Sequence, residues 1–158
     1  MKIPITIAAL VGSGAAVGCL ALTGAPASAA PPPPCDAPGV LIIGTNGPNV
    51  LNGTPRADVI LGRGGNDVIN GRGGNDRIVA GDGNDLVSGG DCDDRVLAGA
   101  GNDRVSGNDG RDRLEGASGR DRLAGNAGND VLNGGTGFDF GNGGPGVDLF
   151  ALIEVIVP

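Results

Sequence analysis

Apolar residues recur along the chain at a constant interval of nine positions. They are Ile60, Ile69, Ile78, Val87, Val96, Val105, Leu114, Leu123 and Leu132. Each lies in a short stretch such as residues 68–70, whose alternation predicts a strand with its middle residue directed to one face. A strand of this length is unstable alone, so the pattern predicts many short strands stacked on one another. Gly141 leaves a gap in the row, and Phe150 ends it.

The segments between these strands have turn composition and repeat in the same phase. Residues 62–67 are typical, because Gly tolerates left-handed dihedral angles and Asn and Asp favour turns. Gly or Ala stands five residues before the Asp that ends each turn, and Asn49 replaces Asp in a degenerate first unit. Three registers in one phase favour an ordered array over a disordered Gly-rich tract. The periodic aspartates are Asp58, Asp67, Asp76, Asp85, Asp94, Asp103, Asp112, Asp121, Asp130, Asp139 and Asp148.

These units resemble the glycine-rich nonapeptide repeat of the repeats-in-toxin (RTX) family, G-G-x-G-x-D-x-U-x with U apolar. The resemblance spans about residues 44–152. It implies an all-β fold, a right-handed parallel β-roll (a β-helix solenoid) in which two repeats form one coil and residues about 18 apart stack. It also implies that Ca²⁺ binds between the turns.

Stacking at this interval sorts the aspartates into two rows. One row holds Asp67, Asp85, Asp103, Asp121 and Asp139, and the other holds Asp58, Asp76, Asp94, Asp112, Asp130 and Asp148. Adjacent carboxylates would lie about 5 Å apart and repel by about 0.8 kcal/mol at water's dielectric constant. Ca²⁺ takes six to eight oxygen ligands, whereas Mg²⁺ prefers a smaller octahedron and Zn²⁺ prefers Cys or His. Pairing along the rows predicts up to about nine ions and calcium-dependent folding.

Two substitutions in the turns predict weaker sites. Arg56 and Cys92 stand where the other turns have Gly, two residues before Asp58 and Asp94, and a side chain there strains the loop. Four further aspartates fall outside the register, and we expect them to tune the local field rather than bind the ion. They are Asp82, Asp91, Asp93 and Asp109.

The N-terminal segment has the features of an export signal. Lys2 precedes an apolar stretch, residues 3–22, and the small residues Ala27 and Ala29 form an A-x-A cleavage site. We therefore expect a signal peptide over residues 1–29 and a secreted protein whose mature chain does not span a membrane. Two alternatives are a retained membrane anchor and a lipoprotein signal with a lipid anchor at Cys19. A Pro-rich spacer is expected over residues 30–39.

Two cysteines remain after that cleavage, Cys35 and Cys92. Stacking predicts that they lie about three coils apart, or roughly 15 Å, whereas a disulfide needs Cα atoms within about 7 Å. A bond is possible only if the segment after Cys35 runs back along the roll. The sequence therefore favours no bond, and free thiols and intermolecular pairing remain open.

Composition limits the function classes. The chain has 33 Gly and 3 Phe but no Trp, Tyr or His, so a thick conventional core is excluded. The net charge of −7 disfavours nucleic acid as a partner. Without His, and without a G-x-S-x-G motif, we predict no enzyme activity.

The remaining features concern the surface and the C-terminal end. Arginines 18 residues apart form one row at 77, 95 and 113 and another at 104 and 122. We interpret them as a solvated face, with a carbohydrate-binding or surface-binding stripe as the alternative. The roll is expected over residues 40–152 and an apolar cap over residues 153–158, with a dimer contact as the alternative for this tail. The alternative function is a cell-surface or matrix adhesin, whose glycan or protein partner is unknown.

Overall fold

The computed structural model describes residues 33–153 and 155–156. The predicted signal peptide and the alternative lipid anchor at Cys19 lie outside these residues. Every regular element of the described residues is a β-strand, and none of them forms a helix long and apolar enough to cross a membrane. The strands are β1 (Pro38–Ile43), β2 (Val50–Asn52), β3 (Ala57–Gly64), β4 (Val68–Gly73), β5 (Arg77–Asp82), β6 (Leu86–Asp91), β7 (Arg95–Ala100), β8 (Arg104–Asp109), β9 (Arg113–Gly119), β10 (Arg122–Ala127), β11 (Val131–Gly137), β12 (Phe140–Asn142), β13 (Leu149–Ala151) and β14 (Val155–Ile156).

Successive strands alternate between two parallel sheets of seven strands each. The first sheet has the order β1-β3-β5-β7-β9-β11-β13, and the second has the order β2-β4-β6-β8-β10-β12-β14. Each residue pairs with the residue one coil later, so that Ile60 faces Ile78 and Ile69 faces Val87. The all-β fold class is therefore confirmed, as a solenoid of about six turns.

The core between the sheets is thin because each strand contributes little more than one large side chain. The nine periodic apolar residues are at most 3% exposed, and Ala80 and Ala98 are fully buried beside them. Phe150 and Ile153 pack against the C-terminal end of this core. A β-carbon on Gly141 would lie 3.2 Å from both, so these two side chains fill the gap that the sequence pattern leaves.

The arginine rows lie on the outer faces of the two sheets. Arg95 pairs in register with Arg77 and with Arg113 in the first sheet, and Arg104 pairs with Arg122 in the second. All five side chains are exposed. The predicted outward direction of both rows is confirmed.

Cys35 and Cys92 form a disulfide with a Cα–Cα distance of 5.9 Å, so the prediction against a bond was wrong. The segment before β1 runs back along the turns. The Cys35 carbonyl accepts the N–H of Asn75 at 2.6 Å, and the Ala37 carbonyl accepts the N–H of Ala57 at 2.9 Å. One coil later, the N–H of Asp93 donates to a side-chain oxygen of Asn75. In the same pattern the N–H of Asn75 would donate to residue 57, but Ala57 has no side-chain oxygen. The Cys35 carbonyl accepts the Asn75 N–H instead, which brings the two cysteines together.

Candidate metal sites

From residues 62–67 onward, each turn reverses the chain through two residues with positive φ. In the turn of residues 62–67 these are Arg63 (φ 82°) and Gly65 (φ 98°). The second of these positions is Gly in every turn from Gly65 to Gly146 except one, where Cys92 has φ 85°. A side chain in this region costs energy, so the predicted strain is present at Cys92. It is absent at Arg56, whose φ is not positive.

The turns direct the periodic aspartates into the interior. Ten of them, Asp58 to Asp139, are at most 3% exposed, and Asp148 is half-buried. In each row one carboxylate oxygen, Oδ1, accepts the backbone N–H of the aspartate one coil earlier, as Asp76 does from Asp58 at 2.8 Å. The same bond recurs at 2.8–2.9 Å along both rows. The structure therefore brings together the carboxylates that the 18-residue interval assigns to each row.

The other oxygen, Oδ2, is buried without a hydrogen-bond partner in eight of these carboxylates. They are Asp67, Asp76, Asp85, Asp94, Asp103, Asp112, Asp121 and Asp130. A β-carbon on Gly62 would collide with Oδ2 of Asp67 and with the Ala80 carbonyl of the next coil. A carboxylate oxygen and a backbone carbonyl oxygen thus converge beside Gly62, and Gly71, Gly116 and Gly125 have the same surroundings.

Acidic side chains alone do not surround these oxygens. Among the described residues, no group of three or more His, Cys, Asp or Glu side chains converges on one point. The donor set available at each pair of turns is therefore mixed. Carboxylate and backbone carbonyl oxygens are the hard ligands that Ca²⁺ prefers in proteins.

Burial opposes ionisation along the rows. Desolvation raises the pKa of Asp94 to about 8, with a further contribution from the carboxylates of Asp76 and Asp112. Burial also raises the pKa of Asp76, Asp103 and Asp112 to about 6. The pKa values of three more carboxyls are raised by burial, those of Asp85, Asp121 and Asp130. A cation among these oxygens would offset both the burial and the mutual repulsion.

The repeats match a known protein family. A family described as RTX calcium-binding nonapeptide repeat (4 copies) matches residues 43–78, 71–105 and 106–141, which is more than half of the chain. The chain belongs to this family. It is therefore a calcium-binding repeat protein, and the resemblance of its repeat to the RTX motif is confirmed. No curated protein and no solved structure was found to match the chain.

The first coil of the RTX array satisfies its turn oxygens with donors from Thr45 and Thr54. Thr54 donates its N–H and its hydroxyl to Oδ2 of Asp58, at 2.5 and 3.0 Å. Thr45 donates its N–H to Oδ1 of Asn49 at 2.7 Å. The N–H of Asn49 in turn donates to Oδ1 of Asp67 at 2.8 Å, so the predicted degenerate first unit continues the ladder. The role of the two threonines was missed by sequence reasoning, although Thr four residues before Asn49 and Asp58 is a visible departure from the RTX consensus.

A second ladder, which sequence reasoning also missed, runs beside the aspartates. Oδ1 of Asn66 accepts the N–H of Asn84 at 2.8 Å, and Oδ1 of Asn84 accepts that of Asn102 at 2.7 Å. On the opposite edge, Asp93 accepts the N–H of Arg111 at 2.8 Å and so continues the ladder from Asn75. The signal was present in the sequence, because Asn precedes the periodic Asp of several RTX repeats. These bonds join consecutive coils without using the periodic carboxylates.

Proposed function

We propose that the roll holds Ca²⁺ between consecutive turns of each row and folds when the ions bind. Two aspartates one coil apart would bind each ion, together with backbone carbonyls of both turns. The observation that supports this most strongly is the set of eight buried Oδ2 atoms without a partner. A buried acceptor with no partner is costly, and a buried carboxylate more so, unless a cation accompanies it.

The same observation supports a link between calcium and folding. If each site binds near 100 μM and free calcium is near 1 mM, each ion stabilises the roll by about 1.4 kcal/mol. Nine such ions would contribute about 13 kcal/mol, which is comparable to the stability of a whole domain. Circular dichroism with calcium and with EDTA tests the link. We expect the β signal to be lost in EDTA and restored by calcium, and a spectrum that chelation leaves unchanged would contradict the proposal.

The number of ions follows from the rows. Pairing every neighbour gives four sites in the row that starts at Asp67 and five in the row that starts at Asp58, a total of nine. The site between Asp58 and Asp76 should be the weakest, because Thr54 already satisfies Oδ2 of Asp58. Calorimetric titration should therefore give eight or nine ions, whereas two or fewer would overturn the two-row arrangement.

We further propose that the protein is exported before it folds. The basic and apolar N-terminal sequence and the Cys35–Cys92 disulfide both suit an oxidising compartment. RTX repeats are also typical of secreted proteins. Cleavage after Ala29 should yield a mature chain that begins at Ala30. Mass spectrometry of the protein recovered from culture medium tests this, and a diacylated Cys19 in the membrane fraction would favour the lipid anchor instead.

We assign no catalytic activity to the roll. RTX repeats form a calcium-binding structural module, and the buried carboxylates that hydrolysis by a carboxylate pair would need are the proposed calcium ligands. A binding role on the outer surface is a separate question, and one part of that surface carries evidence for it.

A further inference from the structure

The outer face of the second sheet has a pocket of about 510 Å³ lined by cationic and amide side chains. Arg104, Arg120 and Arg122 line it together with Asn84 and Asn102. An apolar trough of about 410 Å³ adjoins it and shares the walls formed by Arg104 and Arg122. Pocket and trough together form one groove, which we call the arginine groove.

The guanidinium groups of the arginine groove have no anionic partner among the residues that the structure describes. Arg104, Arg120 and Arg122 are exposed, and none lies within 4.0 Å of a carboxylate of the described residues. Asp85 and Asp103 belong to the same pocket, but their carboxylates are buried in the turn. Three cations on a chain of net charge −7 therefore remain available to an external anion.

The placement of these cations is unfavourable without such an anion. Arg104 and Arg122 are directly paired on neighbouring strands, β8 and β10, where like charges destabilise a sheet. The Arg122 guanidinium also lies over the Phe140 ring, 5.9 Å from its centroid, which holds it at the edge of the trough. The two arginines therefore extend from neighbouring strands, whose backbones are about 4.8 Å apart.

We propose that the arginine groove binds an acidic polysaccharide. The strand spacing is close to the length of one sugar unit, so consecutive charged sugars would meet consecutive arginines. The trough, lined by Leu86 and Phe140, offers apolar contact to a sugar ring, and the amides of Asn84 and Asn102 can bond hydroxyl groups. A nucleic acid or an anionic bilayer would present a denser array of charge to the whole molecule, which the net charge of −7 opposes.

This inference rests on the proposed function in one respect, since the groove exists only in the folded roll. Its test is therefore performed in calcium, with circular dichroism and calcium stoichiometry recorded on every variant. Loss of glycan binding with calcium binding intact concerns the groove alone. Loss of calcium binding would concern the proposed function.

The test is a calorimetric titration with two acidic probes, oligogalacturonates too short to gel with calcium and chondroitin sulfate fragments. The double variant Arg104→Gln/Arg122→Gln should bind at least about tenfold more weakly than the natural protein, because each arginine contributes a charge-assisted hydrogen bond. The matched control is Arg77→Gln/Arg95→Gln, which removes the same charge from an in-register pair on the other sheet. The control should keep full affinity. Arg104→Lys/Arg122→Lys should retain part of it, because the charge remains but the planar fork is lost.

Several outcomes would overturn the inference. The natural protein could bind neither probe, or both Gln double variants could lose affinity equally, which would indicate general electrostatic attraction. Uncharged maltooligosaccharides could bind as well as the acidic probes. Duplex DNA or phosphatidylglycerol vesicles could bind more tightly than either glycan, which would identify another class of partner.

Discussion

Asp94→Asn should change the stability of the roll in opposite directions with and without calcium. Asp94 lies in the middle of its row, is 1% exposed, and has the most strongly raised pKa of the periodic aspartates, about 8. Its Oδ1 accepts the N–H of Asp76 at 2.8 Å, and the Asn amide oxygen can keep that bond. The substitution therefore removes the charge and one proposed ion ligand while leaving the ladder in place.

The magnitude follows from the neighbours of Asp94 in its row. Asp76 and Asp112 lie one coil away on either side, and at about 5 Å each repels the Asp94 carboxylate by about 0.8 kcal/mol at water's dielectric constant. Above about pH 8, where the Asp94 carboxyl is ionised in the folded roll, removing the charge should thus stabilise the calcium-free roll by about 2 kcal/mol, or more because the site is buried. In calcium the variant loses a ligand of two proposed sites, which costs about 3 kcal/mol at about 1.4 kcal/mol per site.

Both changes can be measured by circular dichroism. In saturating calcium, urea unfolding should show the loss for Asp94→Asn. In EDTA, where the chain is expected to be unfolded, the concentration of trimethylamine N-oxide needed to fold it should be lower for the variant than for the natural protein. Calorimetry in calcium should show two ions fewer.

Asp91→Asn is the matched control, because Asp91 is exposed and lies outside the periodic register. It should change stability by less than about 0.5 kcal/mol in either condition. If Asp94→Asn destabilised the roll equally with calcium and with EDTA, the Asp94 carboxylate would act through its hydrogen bond and not through its charge. Unchanged stability in calcium would refute its role as a ligand.

Three further predictions follow from the same turns. Because the folded-state pKa values of Asp94, Asp76, Asp103 and Asp112 are raised to about 6–8 from an ordinary value of 3.8, protonation stabilises the calcium-free roll. That stabilisation is fully present below about pH 4 and is lost as the pH rises through 6 to 8. On acidification, the β signal in EDTA should therefore grow and the calcium affinity should fall. A β signal in EDTA that does not change with pH would contradict this. Cys35→Ser/Cys92→Ser opens a loop of 57 residues and should lower the free energy of unfolding by about 4 kcal/mol in urea titrations. A change below about 1 kcal/mol would show that the disulfide constrains the unfolded chain little. Gly125→Val places a branched side chain against Asp130 Oδ2 and the Gly143 carbonyl and should abolish calcium-dependent folding. Its control is Ala98→Gly, at the equivalent position of another turn, which should fold with only a modest loss of stability. Two equally stable variants would contradict the need for a small residue at this position.

The sequence predicted those parts of the structure that depend on the period. Nine-residue spacing places every large apolar side chain of the core, from Ile60 to Leu132, and every buried aspartate. An interval of 18 residues predicts the register of both sheets except at their ends, where Pro38 pairs with Ala57 and Phe140 pairs with Val155. These features could be predicted because a one-residue slip in any coil would turn its apolar residue outward, so that the pattern and the stack must agree.

Features at the start of the array could not be predicted from the period, because they depend on how the preceding segment returns across the turns. The disulfide is the main case. The distance argument against it assumed that Cys35 lies ahead of the first coil, whereas its carbonyl binds Asn75, in the turn that precedes β5. That path depends on the N–H of Asn75, which has no side-chain acceptor in the preceding coil because residue 57 is Ala. Local hydrogen-bond accounting would have indicated the vacancy but not which segment fills it.

The two ends of the array differ in what satisfies their turn oxygens. In the first coil, Thr45 and Thr54 bond to Asn49 and Asp58, and the disulfide holds the preceding segment against the turns. A β-branched residue is strongly disfavoured at positive φ, so these threonines also exclude the backbone geometry that the later turns adopt at the same position, for example at Arg63. The later turns instead bury carboxylate oxygens that have no partner within the described protein. The start of the solenoid is therefore held by hydrogen bonds and a covalent bond, whereas in the later coils the proposed ions would compensate the buried charge. A template of this kind fixes the register for the coils that follow, because the N–H groups of Asn49 and Asp58 already bond the carboxylates of Asp67 and Asp76 in the next coil.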